Sequence, residues 1–236
     1  MKAIIFTFTT LLFLNSCAQD RVKGNGNIVK ETRQIGNFNE IETGGNYDVY
    51  VYDAPQNGKL TIEGESNVIS AIETEVSGNK LTNKKKKGFN FSNTKSVKIS
   101  VNAQNLKSIG FSGSGSLVAE GVQKVDNFSA ALSGSGDMKV QIQSQNTSVG
   151  VSGSGDLKIS GKTQKAEIAI SGSADVDASD LESDVVSIGV SGSGNSKVWA
   201  KKSLKGGVSG SGDIYYKGDP GVVDVHSAGS GSVSKF

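Results

Sequence analysis

The chain of 236 residues holds one histidine, His226, and one cysteine, Cys17. Hydrolytic and nucleophilic sites draw on histidine, paired carboxylates, or an activated serine or cysteine. One His and one Cys exclude a zinc-type cluster, which needs several such ligands. Serines are abundant, but none is marked as a nucleophile beside a base. A more regular candidate is acidic. Asp137, Asp156, Asp175 and Asp213 recur with Asn195 in register, and Ser116 and Ser232 stand at the ends of the series. Stacked on successive turns, such carboxylates would repel one another or recruit a cation. Calcium takes six to eight oxygen ligands, and one Asp per repeat supplies few. Calcium-binding β-roll repeats also use a nine-residue unit, about half the spacing found here. The expected reading is therefore a solvent-facing ladder, partly neutralised by Lys139 and Lys158, with no metal and no cofactor. Trp199 and Tyr215 are the candidate ligand-contacting residues, because each has outward parity in its own repeat. The run Lys84–Lys87 could touch an anionic surface, although beside Gly88 it reads as a solvated loop.

The elements that position these residues are set by a repeat. SGSG begins at Ser112, Ser133, Ser152, Ser191 and Ser209, with variants at Ser171 (SGSA) and Ala228 (AGSG), at intervals of 21, 19, 19, 20, 18 and 19 residues. Around each copy, apolar and polar residues alternate. Val149, Val151, Gly153, Gly155, Leu157 and Ile159 share one parity; Gly150, Ser152, Ser154, Asp156 and Lys158 share the other. Alternation is the strand signature, with one set turned to a core and the other to water. Ala130, Leu132, Met138, Val140 and Ile142 follow the same rule, as do Ile168, Ile170, Ala174, Val176 and Ala178. A unit of about 19 residues is too short for strand–helix–strand crossovers. It fits one coil of short strands stacked on the next, an all-β solenoid with coils of about 19–20 residues. The glycines fall on the apolar side. Ala174 fills one of these places, which points to crowding rather than to a left-handed backbone as the reason for glycine. Expected corners are Gly121, Ser160-Gly161, Asp180 and Gly218–Gly221.

Residues 34–111 are less regular, with strands expected at Tyr47–Tyr52, Lys59–Ile62, Lys80–Thr82 and Val97–Val101. Val68, Ile69 and Ile72 are spaced for one short helix. This part is assigned to the cap and first coils, and 112–236 to the SGSG coils. The start of the chain reads as an export signal: one Lys, the apolar stretch Ala3–Leu14, then Asn15-Ser16-Cys17. A stretch of twelve residues is too short to span a bilayer. Leu14–Cys17 resembles a bacterial lipobox, so residues 1–16 are assigned as a lipoprotein signal peptide and Cys17 as the site of lipid attachment. Residues 17–33 are polar and glycine-bearing and are assigned as a tether. With 25 Lys+Arg against 23 Asp+Glu, the chain lacks the basic footprint of a nucleic-acid binder.

Further residues carry a family resemblance. Gly36-Asn37-Phe38-Asn39-Glu40-Ile41, then Asp48-Val49-Tyr50-Val51, then Gly64-Glu65-Ser66-Asn67 and the serial SGSG coils together resemble the GIN-domain family, described as auto-transporter adhesin head domains and common in Bacteroidota. The resemblance covers residues 34–236. It implies a right-handed parallel β-helix and an envelope setting, and supplies no catalytic residues. The expectation is a non-enzymatic lipoprotein, held to the outer membrane on its periplasmic face or at the cell surface. It would present a solenoid for adhesion to a glycan or a protein. The competing expectations are a carbohydrate-active β-helix enzyme, which would need a cluster of Asp, Arg or Lys, and a purely structural envelope component. An ice-binding array is disfavoured by the Asp series, which breaks a flat face.

Overall fold

The computed structural model describes residues 20–92 and 94–236; Cys17 and the assigned signal peptide lie outside them. The first elements are β1 (Asp20–Lys23), β2 (Ile28–Gln34), β3 (Glu40–Gly45), β4 (Tyr47–Tyr52), β5 (Lys59–Glu65) and a single-turn helix, α1 (Ser66–Ile69). Next come β6 (Ile72–Ser77), β7 (Lys80–Lys85), β8 (Phe89–Ser92), β9 (Val97–Asn102), β10 (Ser108–Gly113), β11 (Ser116–Lys124) and β12 (Asn127–Gly134). The regular part continues through β13 (Asp137–Gly153), β14 (Asp156–Gly172), β15 (Asp175–Gly192) and β16 (Ser196–Gly210). It ends with β17 (Ile214–Lys217), β18 (Val222–Gly229) and β19 (Val233–Lys235).

From β10 to β19 the chain winds a parallel β-solenoid of seven turns, and β3 and β4 form the coil before them. Each coil has two long sides. Face A carries the strand that ends in Ser-Gly, such as Asn127–Gly134 and its register partner Asn146–Gly153. Face B follows the SGSG corner, as in Met138–Ser144 paired with Leu157–Thr163. The long strands β13 to β15 each run down face B of one coil and on into face A of the next. The alternating parity fills the space between the faces. Leu132, Val151, Ile170, Val190 and Val208 stack as one column, and Leu117, Met138, Leu157, Val176 and Ile214 belong to another; all are buried. Burying each such side chain contributes roughly 1.5–3 kcal/mol before entropy is counted.

The corner corrects one expectation. A Cβ at either glycine of SGSG would run into the backbone of the coil beneath; at Gly172 it would lie 2.5 Å from the carbonyl oxygen of Gly153. The first glycine has a second constraint, since Gly134, Gly153, Gly172, Gly192, Gly210 and Gly229 have φ between +106° and +137°. The second glycine keeps an ordinary backbone, and Ala174 is such a position. The first glycine is thus crowded and left-handed, the second only crowded.

The N-terminal end is closed differently. Strand β2 (Ile28–Gln34) takes in residues 28–33 of the assigned tether and pairs antiparallel with β5. β5 also pairs antiparallel with β9, and β6 with β7. The fold therefore begins before residue 34. Gly64-Glu65-Ser66-Asn67 fastens this cap. The buried Glu65 carboxylate accepts from the N–H groups of Gly26 (2.7 Å) and Lys95 (2.9 Å), and these bonds hold it below its usual acid range. Asn67 accepts from the Asn25 N–H and donates to the Lys23 carbonyl. Arg33 donates to the carbonyls of Ile69 and Ile72 and to Thr74. The Lys84–Lys87 run is not wholly a loop: Lys84 and Lys85 end β7, and Lys84 faces Glu73 at 3.7 Å.

Candidate functional site

The register brings the acidic series into one column on face B, as its spacing predicts. Asp48, Ser116, Asp137, Asp156, Asp175, Asn195, Asp213 and Ser232 occupy one corner position on successive coils. The side chains are occupied within the column. Asp175 Oδ1 accepts from the N–H of Asn195 (2.6 Å), Asn195 Oδ1 from that of Asp213 (3.1 Å), and Asp213 Oδ1 from that of Ser232 (2.8 Å). These three side chains each satisfy a backbone N–H of the next coil. Hydrogen bonds from Ser232 hold the Asp213 carboxyl below its ordinary range. Among the described residues no three acidic, His or Cys side chains converge on a point that could hold a metal ion.

Beside this column runs a groove of about 440 Å³, flanked by Lys139, Lys158, Asp177 and Lys197. Two of its charges face each other: Lys158 lies 3.5 Å from Asp177. Trp199 and Tyr215 point outward on the same face, in neighbouring coils. Tyr215 is in register with Lys197, and Trp199 with Lys217. Both are half-buried. The Lys217 ammonium sits 4.6 Å from the centre of the Trp199 ring, covering one of its faces. The Tyr215 hydroxyl donates to Asp213 at 3.2 Å, which raises its pKa. The parity that singled the pair out is correct, but each already has a polar partner.

Hydroxyls also stack along the coils. Ser144, Thr147 and Thr163 form a bonded cluster at the opposite corner, with separations of 2.7–3.1 Å. On face A the serine column Ser112, Ser133, Ser152, Ser171, Ser191 and Ser209 is exposed. Within it, Ser152 donates to Ser133 at 3.3 Å.

Face A carries the feature that sequence reasoning missed. Its middle outward column is Gly110, Ala131, Gly150, Ala169, Gly189 and Gly207, flanked by the serine column and by a second column that holds Ser108, Ser129, Ser148 and Ser187. Two shallow troughs lie along this surface, one over Gly110 to Ala169 and one over Ala169 to His226. A Cβ at Gly150 or Gly189 would meet nothing within 4 Å, and neither has a positive φ. Glycine inside a strand costs roughly 0.5–1 kcal/mol relative to alanine, so the fold gains nothing from it here. The result is a flat tract, bare in the middle and lined with hydroxyls. The signal was present as outward parity at Gly150 and Gly189, hidden among glycines that corners require.

Comparison with known proteins agrees with this architecture. The family model described as "Putative auto-transporter adhesin, head GIN domain" matches residues 37–220. A solved structure from Bacteroides fragilis, described as a putative adhesin, is 25% identical with a TM-score of 0.83, covering 91% of this chain and 100% of its own. One from Parabacteroides distasonis, described as a putative lipid binding protein, is 26% identical with a TM-score of 0.71, covering 92% of this chain and 100% of its own. A third, from Parabacteroides merdae and described as a putative adhesin, shares the fold at 22% identity and a TM-score of 0.72, covering 92% of this chain and 99% of its own. No curated protein sequence matches the chain.

Proposed function

The chain belongs to the GIN-domain family, and we propose that it is a non-catalytic envelope adhesin whose face A holds an extended glycan. The observation that carries this reading is the bare column. Gly150 and Gly189 occupy exposed strand positions where a side chain has open space, so their small size serves whatever lies against the face. Serine hydroxyls line most of both flanks on coils about 4.8 Å apart, with Glu167 and Lys205 taking two places in the second column. A polyhydroxylated chain can lay apolar ring faces on the Gly/Ala strip and bond to hydroxyls on either side. Face B offers less at its aromatic pair, because Lys217 covers Trp199 and Tyr215 donates to Asp213. The lipobox-like Leu14–Cys17 supports export and anchoring to the outer membrane through lipid on Cys17.

A second contact reading is favoured by the outward placement of Trp199 and Tyr215 in neighbouring coils of face B. One glycan-array experiment separates the two. Gly150→Arg and Gly189→Arg insert long side chains into open space, so they leave the melting temperature near that of the wild type. They should lower glycan binding at least tenfold, about 1.4 kcal/mol. Retained binding by both arginine variants, with loss in Trp199→Ala or Tyr215→Ala, would move the site to face B. Absence of binding to every glycan would sink the adhesin reading, and release of reducing or unsaturated sugars would support the enzyme alternative.

A further inference from the structure

The two ends of the solenoid are not equivalent. The N-terminal end is closed by the antiparallel β2, β5 and β6 and by α1, which cover the first coils. At the other end β18 and β19 pair with β16 and β17 on one side only, and no described strand adds to their outer edges. The core columns run out there. Val223 stands in the column of Val186 and Leu204, yet it is 47% exposed; Val222 and Phe236 are 48% and 56% exposed. Val225 and Val233 are only partly buried. Stacked-repeat folds need a polar terminal cap for solubility. A long edge with exposed apolar side chains is also a template for further strand pairing.

The residues of β18 indicate what pairs with it. Val222, Asp224, His226 and Ala228 point outward on face A, whereas Val223, Val225 and Ser227 point toward the core, as their register partners on β16 show. If a second β18 is laid antiparallel along the edge with Val225 on a two-fold axis, Asp224 of each copy falls opposite His226 of the other. Val222 falls opposite Ala228, and Val223 opposite Ser227. The sequence is thus complementary to itself in charge and in size. Asp224 and His226 are exposed and face each other at 3.2 Å within one chain, so in the dimer this pair would meet the partner's pair in the opposite order. A two-fold axis normal to face A also keeps the outer faces on one side and joins the two cores end to end. Directly opposed side chains in an antiparallel pair lie close enough to interact, with opposite charges favourable and like charges unfavourable. Such an interface is isologous and closes at two copies, because the capped N-terminal end cannot repeat it.

We propose that this protein forms a tail-to-tail dimer through antiparallel pairing of β18 with β18 of a second copy. In the dimer the two solenoids become one continuous stack, with the two face A tracts end to end across the Asp224 and His226 seam.

Sedimentation equilibrium of the full chain in detergent reads the mass. The expected result is a dimer for the wild type. Asp224→Lys sets Lys against His, and His226→Glu sets Glu against Asp; each should weaken dimerisation by at least tenfold. The double variant restores opposite signs across the axis and should recover the dimer. Val225→Cys places one thiol beside its own copy, so mild oxidation should yield a covalent dimer, whereas Val222→Cys should not. A wild-type monomer would overturn the proposal. So would a dimer unaffected by both single charge variants, which would place another partner surface at the interface. Far-UV circular dichroism of each variant separates lost pairing from lost folding.

Discussion

Gly150 and Gly153 lie three residues apart on β13, and the surroundings of the two differ completely. At Gly153 φ is +109°, and a Cβ would overlap the Gly134 carbonyl of the preceding coil; at Gly150 φ is ordinary and a Cβ would meet nothing. One glycine is required because two coils approach closely at a corner. The other is unnecessary for folding and leaves a strip of surface bare. The same residue type therefore builds the scaffold in one column and shapes an exposed face in the next. Gly45 extends the first case into the coil before the SGSG series. It is the register partner of Gly113 in the corner column, but there the close neighbour is the buried ring of Tyr47, not backbone.

The largest effect expected from this contrast is at the corner. Gly153→Ala should destabilise by about 2–5 kcal/mol, combining left-handed backbone strain with overpacking, visible as a lower urea midpoint. A wild-type midpoint would mean that the corners can widen. Next is the ring under Gly45. Burial pushes the Tyr47 hydroxyl up to about 12, partly countered by Arg33, and its oxygen has no hydrogen-bond partner. The folded pKa is raised, so stability is intact below the ordinary tyrosine value near 10 and is lost as pH rises toward about 12. Two units correspond to about 3 kcal/mol. Tyr47→Phe should remove this alkaline loss and be neutral or stabilising at pH 7, since it deletes an unsatisfied buried hydroxyl. An unchanged alkaline profile would place the loss on other groups. The smallest effect is on face A. Gly150→Ala should stabilise by roughly 0.5–1 kcal/mol, read by thermal melting, and any destabilisation would show that the bare column has a structural cause after all.

Much of the fold was legible because a solenoid repeats one local rule. Alternation around SGSG placed Ala130, Leu132, Met138, Val140 and Ile142 inside, and all are buried. The spacing of Val68, Ile69 and Ile72 pointed to the short helix, although Ile72 itself begins β6. Other features were opaque for definite reasons. Ile28–Gln34 looks like a tether because its surroundings are polar and its partner, β5, lies some 30 residues away. Ala174 obscured the left-handed backbone at the first glycine, since it occupies the second position, where only crowding applies. The Asp series was found by spacing, but its work, accepting an N–H from the coil above, appears only when the register is known. Trp199 and Tyr215 were found by parity, whereas the lysine over Trp199 comes from the next coil and the aspartate that engages Tyr215 lies two residues before it.

The sequence by itself determined the period, the parity and hence the stacked all-β coil, because strand alternation is local and recurs about every 19 residues. The tertiary structure decided which glycines are crowded, which face is bare and which end is open. These properties depend on a neighbour one full coil away, or on the lack of one, and contact between coils is not encoded in the spacing of a single repeat.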